Sequence, residues 1–280
     1  MGRKSREKQE RRHAKAERFR ERQKRAQEGT VRGCVICRGH DGGFLSEEHP
    51  VPESLGNTEI VLPNGVVCDR CNHGALSNLD QTLQQFFPIA IQRVLKGIPS
   101  KAGKLPTARF RNGVLGLSSP GNIVMNTSER KALIVDPVPL PDGYQKMKMT
   151  VTGGRRLTPT YASELSRSLL KMAIECAWLD HGEKILEPEW DHVREAILGE
   201  RRAGYFTCLR TGDPNDNHVQ LQYWPVIRED GSLIVAVVVR LYGLVMATDS
   251  RNPKPIMPLD PDEAIVIKFG SDLGARSEVA

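Results

Sequence analysis

Cys34-Val35-Ile36-Cys37 and Cys68-Asp69-Arg70-Cys71-Asn72 bracket a segment that contains Phe44-Leu45-Ser46-Glu47-Glu48-His49-Pro50, and the reading of this stretch decides the fold of the first third of the chain. A Cys-x-x-Cys turn sets two thiolates on one side of a tight knuckle. Two such turns supply the four soft ligands of a tetrahedral structural zinc site, here Cys34, Cys37, Cys68 and Cys71. A disulfide reading is weaker because nothing in the chain points to an oxidising compartment. A thioredoxin-like redox reading needs one such motif in a βαβ setting, not two.

Within this frame Phe44 to His49 reads as a short strand that Pro50 and Pro52 terminate. Ile60-Val61-Leu62, the turn signal Pro63-Asn64-Gly65 and Val66-Val67 read as a second extended segment. From Asn72 onward Ala75, Leu76, Leu79, Leu83 and Phe86 recur at three- and four-residue intervals, the mark of a helix with one apolar face. Ser77-x-x-Asp80 has the form of a capping box, so the regular helix is expected to begin a turn after Asn72.

The order Cys-x-x-Cys, Glu-His, Asn, Cys-x-x-Cys-Asn, with two strands and then a helix, resembles the HNH (ββα-metal, treble-clef-like) nucleases, in the branch clamped by four cysteines. The resemblance covers about residues 34–87, roughly a fifth of the chain. It implies metal-dependent hydrolysis of a nucleic-acid phosphodiester. By position it implies His49 as the general base that takes a proton from the attacking water. It implies Glu48 and Asn72 as holders of one hard divalent ion, Mg²⁺ or Mn²⁺, and Asn64 as the residue that orients the histidine ring. The chain departs from the commoner pattern in having Glu rather than Asp in the acidic slot and Asn rather than His in the last, with His73 beside it.

The chemistry can be argued without the family. Phosphodiester hydrolysis needs an activated water, a sink for charge on the pentacoordinate oxygens and stabilisation of the leaving oxygen. A neutral imidazole meets the first need, since its unperturbed pKa is about 6.5. A carboxylate and an amide oxygen are hard donors suited to Mg²⁺. A helix opening near Asn72 adds its positive end beside a phosphate. Each residue also has a plain reading: Asn64 as a turn residue, His40 as part of the knuckle loop, Glu47 as a solvated carboxylate.

With 280 residues, 39% hydrophobic and 26% charged, the chain is comfortable for two domains with a core, and no apolar run approaches the 18 residues of a membrane span. The polar, basic start carries no secretory signal, and reduced thiols in the cytoplasm are expected. Residues 1–30 hold 12 Lys and Arg against 5 Glu, a net +7 that exceeds the +6 of the whole chain, so the rest is close to neutral. This stretch reads as a basic arm, partly helical or disordered, suited to following a phosphate backbone by counterion release.

The zinc-bound module is placed at 31–88, a linker at 89–105 where Gly, Pro and Lys interrupt the pattern, an α+β domain at 106–270 and a flexible tail at 271–280. In the α+β domain, short strands precede two helices and strands return after them, which indicates a mainly antiparallel sheet. Thr158-Pro159 opens the first helix, with Tyr161, Leu165, Leu169, Met172, Ala173, Cys176 and Ala177 on its apolar face and Arg167, Lys171 and Glu175 away from it. The second runs from Pro188 to Leu198, and Leu233 to Met246 returns to strand character. Cys176 and Cys208 read as core thiols.

The leading functional expectation is an HNH endonuclease acting on DNA, with RNA left open as substrate, no membrane partner and an oligomeric state the residues do not specify. The alternatives are a zinc module that binds nucleic acid without hydrolysis, or a structural component of a larger complex.

Overall fold

The computed structural model describes residues 33–57, 60–100, 103–110, 113–119, 122–127, 134–139, 145–150, 157–210, 220–227, 233–250 and 265–266. The basic arm and the tail at 271–280 lie outside the described residues. The described residues form an α+β fold, with four helices and antiparallel sheets. No helix among the described residues is long and apolar enough to cross a membrane.

The chain enters through the knuckle and reaches its first helix by an unusual route. Asp69–Cys71 make one α-turn, Asn72–Leu76 continue as a π-turn, and α1 follows at Ser77–Gln85. The Cys68 sulfur accepts the Cys71 N–H at 3.4 Å and so caps the first turn. Phe86 breaks the helix with an extended ψ of 117°, and α2 resumes at Phe87–Leu95 with Pro88 in its first turn. At the break, Phe86 sits edge-on to Tyr161 and Phe206, with centroids 6.4 Å and 5.5 Å away. It ties the module to the later helices.

On α2 rests a three-stranded antiparallel sheet of β1 (Thr107–Phe110), β2 (Gly113–Ser119) and β3 (Asn122–Thr127). Ala90 and Val94 of the helix share a small core with Ala108 and Leu115 of that sheet. A separate hairpin pairs β4 (Ile134–Pro139) with β5 (Gln145–Thr150).

The long helix α3 (Pro159–His181) occupies the centre. Its N-cap is as the sequence predicts: the Thr158 hydroxyl accepts the Tyr161 N–H and Pro159 stands at the first position. Helix α4 (Asp191–Leu198) ends at Gly199, whose φ of 84° is in the left-handed region. A five-stranded antiparallel sheet covers one side of α3, in the order β10 (Ile265–Val266), β6 (Thr207–Arg210), β9 (Leu244–Asp249), β8 (Leu233–Leu241), β7 (Gln220–Ile227).

One reading of this half is refined and another needs correction. The stretch Leu233 to Met246 is two strands, because Tyr242 and Gly243 take φ of 55° and 70° and turn the chain in two residues. Two consecutive positive φ values give the tight turn whose twist suits antiparallel strands. Lys171 and Glu175, read as lying away from the apolar face, are fully buried. Helix α3 is covered by the sheet and α4 and, on the face bearing these two residues, by the zinc module, so it has almost no solvent side.

One hydrophobic core accordingly runs from Cys34, Val35, Leu76 and Leu83 through α3 to Val237 and Met246. Polar ties reinforce it. The buried Arg194 guanidinium donates to the carbonyls of Val35, Glu187 and Ile185, and the Ser168 hydroxyl donates to the Leu79 carbonyl at 2.9 Å. The buried Tyr242 hydroxyl donates to the Leu55 carbonyl at 2.5 Å, holding the β8–β9 turn on the zinc module. Tyr242→Phe leaves that carbonyl without its donor and is expected to lower stability by about 1–3 kcal/mol. Urea unfolding of the two proteins checks this; equal midpoints would show the bond contributes nothing.

Candidate functional site

The four cysteine sulfurs Cys34, Cys37, Cys68 and Cys71 lie within 4.8 Å of one another, close enough to bind a zinc ion. Among the described residues this is the one group of three or more Cys, His, Asp or Glu side chains so placed. None of the four is in a disulfide. The first knuckle is closed by the Arg38 N–H on the Cys34 carbonyl at 2.7 Å and the Cys34 N–H on Gly39 at 2.9 Å, with Arg38 at a φ of 59°. Gly42 is required at the second knuckle, since a Cβ there would lie 2.8 Å from both the Cys68 sulfur and its Cβ.

Backbone N–H groups already point at the sulfurs, as a thiolate cluster requires. Ile36 and Cys68 donate to the Cys34 sulfur at 3.4 Å and 3.3 Å. The Cys34 thiol is held low, to about 5, chiefly by the hydrogen bond from Cys71 and against the pull of burial. Burial pushes Cys68 up to about 11, and Cys71 is pushed up through its bond to Cys34. Outside the cluster, burial raises the partly buried thiols Cys176 and Cys208 to about 12.

Between the knuckles the two predicted strands meet at a single antiparallel bridge, Glu48 with Leu62, where the Leu62 N–H donates to the Glu48 carbonyl at 2.8 Å. Side chains take over the work of a longer ladder. The Asp69 carboxylate, at the first helical turn, accepts the Leu45 and Ser46 N–H groups at 3.1 Å and 2.8 Å. Buried Asn57 spans its own loop, giving its amide N–H to the Val51 and Ile60 carbonyls and accepting the Ile60 N–H.

The π-turn carries Asn72 and His73 beside that bridged segment. The Asn72 amide donates to the Glu47 carbonyl at 3.1 Å. The exposed His73 ring meets the Ser46 hydroxyl at 3.1 Å. Such π-turns recur at functional positions, where one extra residue re-aims the side chains that follow. Asn64 stands partly exposed in the turn before Gly65, whose φ is 96°.

Glu48 points into the protein. Its carboxylate is 2.5 Å from the Lys171 ammonium, which is completely buried. The same ammonium donates to the His49 carbonyl at 3.0 Å and to the Asp80 carboxylate at 3.2 Å, with Glu175 at 3.3 Å one helical turn along α3. Burial alone would lower the lysine, but Asp80, Glu175 and Glu48 together hold it well above its usual range. Burial pushes Glu175 well above the carboxylate range and raises Asp80 as well.

Lys171, Asp80 and Asn57 do not stand out in the sequence as site residues, though one signal was present. Around Lys171 and Glu175 the helix reads Leu169-Leu170, Met172-Ala173-Ile174 and Ala177-Trp178, which is apolar on every side. A helix apolar all round is buried, and an i, i+4 Lys/Glu pair within it is then buried too.

No protein-family model, no curated protein and no solved structure matches this chain. The four-cysteine cluster is compatible with a zinc-binding module.

Proposed function

We propose that the protein is an HNH-type endonuclease that hydrolyses phosphodiester bonds of DNA. The observation that carries the reading is the bridge of Glu48 to Leu62 with the Asn72 amide on the Glu47 carbonyl. Two extended segments and the start of a helix are thereby held together on a four-cysteine frame.

His49 is the general base. Its neutral imidazole would take the proton from an attacking water. Glu48 and Asn72 would hold Mg²⁺ or Mn²⁺. Their donor types fit a hard ion: Asn72 is bound to Glu47 through its nitrogen, so its oxygen is turned from that carbonyl, and Glu48 has a second oxygen besides the one on Lys171. When bound, such an ion offsets charge on the phosphate and stabilises the departing oxygen. Asn64 would orient the His49 ring.

The test is cleavage. Purified full-length protein is incubated with supercoiled plasmid, single-stranded DNA and RNA in Mg²⁺ or Mn²⁺, with and without EDTA. Nicking or cutting of DNA that EDTA abolishes is expected; intact substrates under all conditions would overturn the reading. The burial of Glu48 against Lys171 favours a second reading, a zinc module that binds nucleic acid without cutting it, and that reading predicts binding alone.

The basic arm supplies sequence-independent attraction to phosphates. Deleting residues 1–30 removes 12 cations and is expected to weaken DNA binding and flatten its dependence on salt, because fewer counterions are released. Binding measured over a salt series checks this, and an unchanged slope would remove the arm from the interaction.

A further inference from the structure

We propose that Lys171 is a positioning residue of this site: from the central helix α3 it grips the Glu48-His49 dipeptide from behind, through the Glu48 carboxylate and the His49 carbonyl. The proposal rests on the nuclease reading for its catalytic consequence and on geometry alone for its structural one.

A buried ammonium is costly, and a well-packed apolar residue of similar volume is often as good for stability or better. Here the cost is met by four partners. Glu48 lies at 2.5 Å, the His49 carbonyl at 3.0 Å, Asp80 at 3.2 Å and Glu175 at 3.3 Å, around an ammonium with no exposure. Two of these partners belong to the adjacent residues that carry the acid and the base. An interaction that fixes a side chain and the next carbonyl leaves the strand little freedom to rotate, and rotation there would swing the His49 ring.

The other side of the same segment is held by different means. Leu62 bonds the Glu48 carbonyl, Asn72 the Glu47 carbonyl and Asp69 the Leu45 and Ser46 amides. These are contacts within the zinc module. Lys171 is separated from His49 by 122 residues, and it makes the aim of the module depend on α3. The Ser168 hydroxyl on the Leu79 carbonyl, three residues before Lys171 on the same helix, fixes α3 against α1 so that the lysine arrives in register. The C-terminal half therefore acts as the back wall of the site.

The experiment compares full-length wild type with Lys171→Met, Lys171→Arg and Asp180→Asn. Zinc content reports the frame, amide exchange of Leu62 reports the strand, and plasmid cleavage reports the chemistry. In Lys171→Met and Lys171→Arg, zinc is retained, Leu62 loses about tenfold in protection while the amides of α1 do not, and kcat falls by about 100-fold with KM unchanged. Asp180→Asn, at the exposed end of α3 where its carboxylate accepts the Tyr223 hydroxyl, leaves the grip on Glu48 and His49 untouched and is expected to behave as wild type in all three. If Lys171→Met fails to fold, Lys171→Arg carries the comparison. Leu62 exchange equal to wild type in a zinc-loaded Lys171 variant overturns the positioning role. So does equal loss of Leu62 protection in Asp180→Asn. A wild type that cuts nothing while the exchange pattern holds overturns the nuclease reading instead, so the two failures are told apart.

Discussion

Cys68→Ser is expected to release zinc and to unfold the protein under conditions in which the wild type is stable. A serine hydroxyl is neither ionised at neutral pH nor soft, so the fourth ligand is lost. Structural zinc contributes about 10–16 kcal/mol of apparent binding free energy to small modules, against a net stability of about 5–15 kcal/mol for a typical domain. Cys68 has other work as well: its sulfur caps the helix through the Cys71 N–H and lies 3.7 Å from Cys37. Cys34, Cys68 and Cys71 belong to the same core as Leu165, Leu169 and Met246, so the damage spreads beyond the module. Metal analysis and a thermal melt decide the matter, with Cys176→Ser as a comparison that keeps its zinc. A Cys68→Ser protein with the wild-type melting curve and no metal would remove zinc from the account of the fold.

The knuckles were legible because their signal is local: two ligands per turn need a fixed spacing, and nothing distant has to be known. The helix that follows was legible for the same reason, from Leu76, Leu79 and Leu83, whereas the π-turn at Asn72–Leu76 was not. Helix propensity does not distinguish an α-turn from a π-turn. The two strands of the motif read as longer than they are, because Asp69 and Asn57 satisfy backbone groups that a ladder would otherwise pair. Such side-chain substitutes leave no period in the sequence. Lys171 was misread for a reason of scale: one apolar stripe describes a helix on a surface, and α3 is enclosed by a sheet, a helix and the zinc module. Which partner faces a buried lysine is settled by tertiary packing across 122 residues, a separation over which periodicity carries no information.

His49→Ala is the substitution with the largest expected effect on chemistry at the least expense to the fold. The contacts that hold this segment run through backbone: Lys171 bonds the His49 carbonyl and Leu62 the Glu48 carbonyl, and truncating the ring touches neither. Zinc content, the melting curve and plasmid binding are therefore expected to match the wild type. Cleavage is expected to fall by about 10²- to 10⁴-fold, the usual contribution of a positioned general base. The same change at His73, which faces the Ser46 hydroxyl on the exposed side of the π-turn, is expected to cost less, because that ring is not assigned the proton transfer. Rates of plasmid nicking in Mg²⁺ for the three proteins test the order. If His49→Ala cuts at the wild-type rate while His73→Ala is inert, the base lies on the helix and not on the bridged strand. Glu48 would then be left as a partner for Lys171 alone, and the motif would have to be rebuilt around the π-turn.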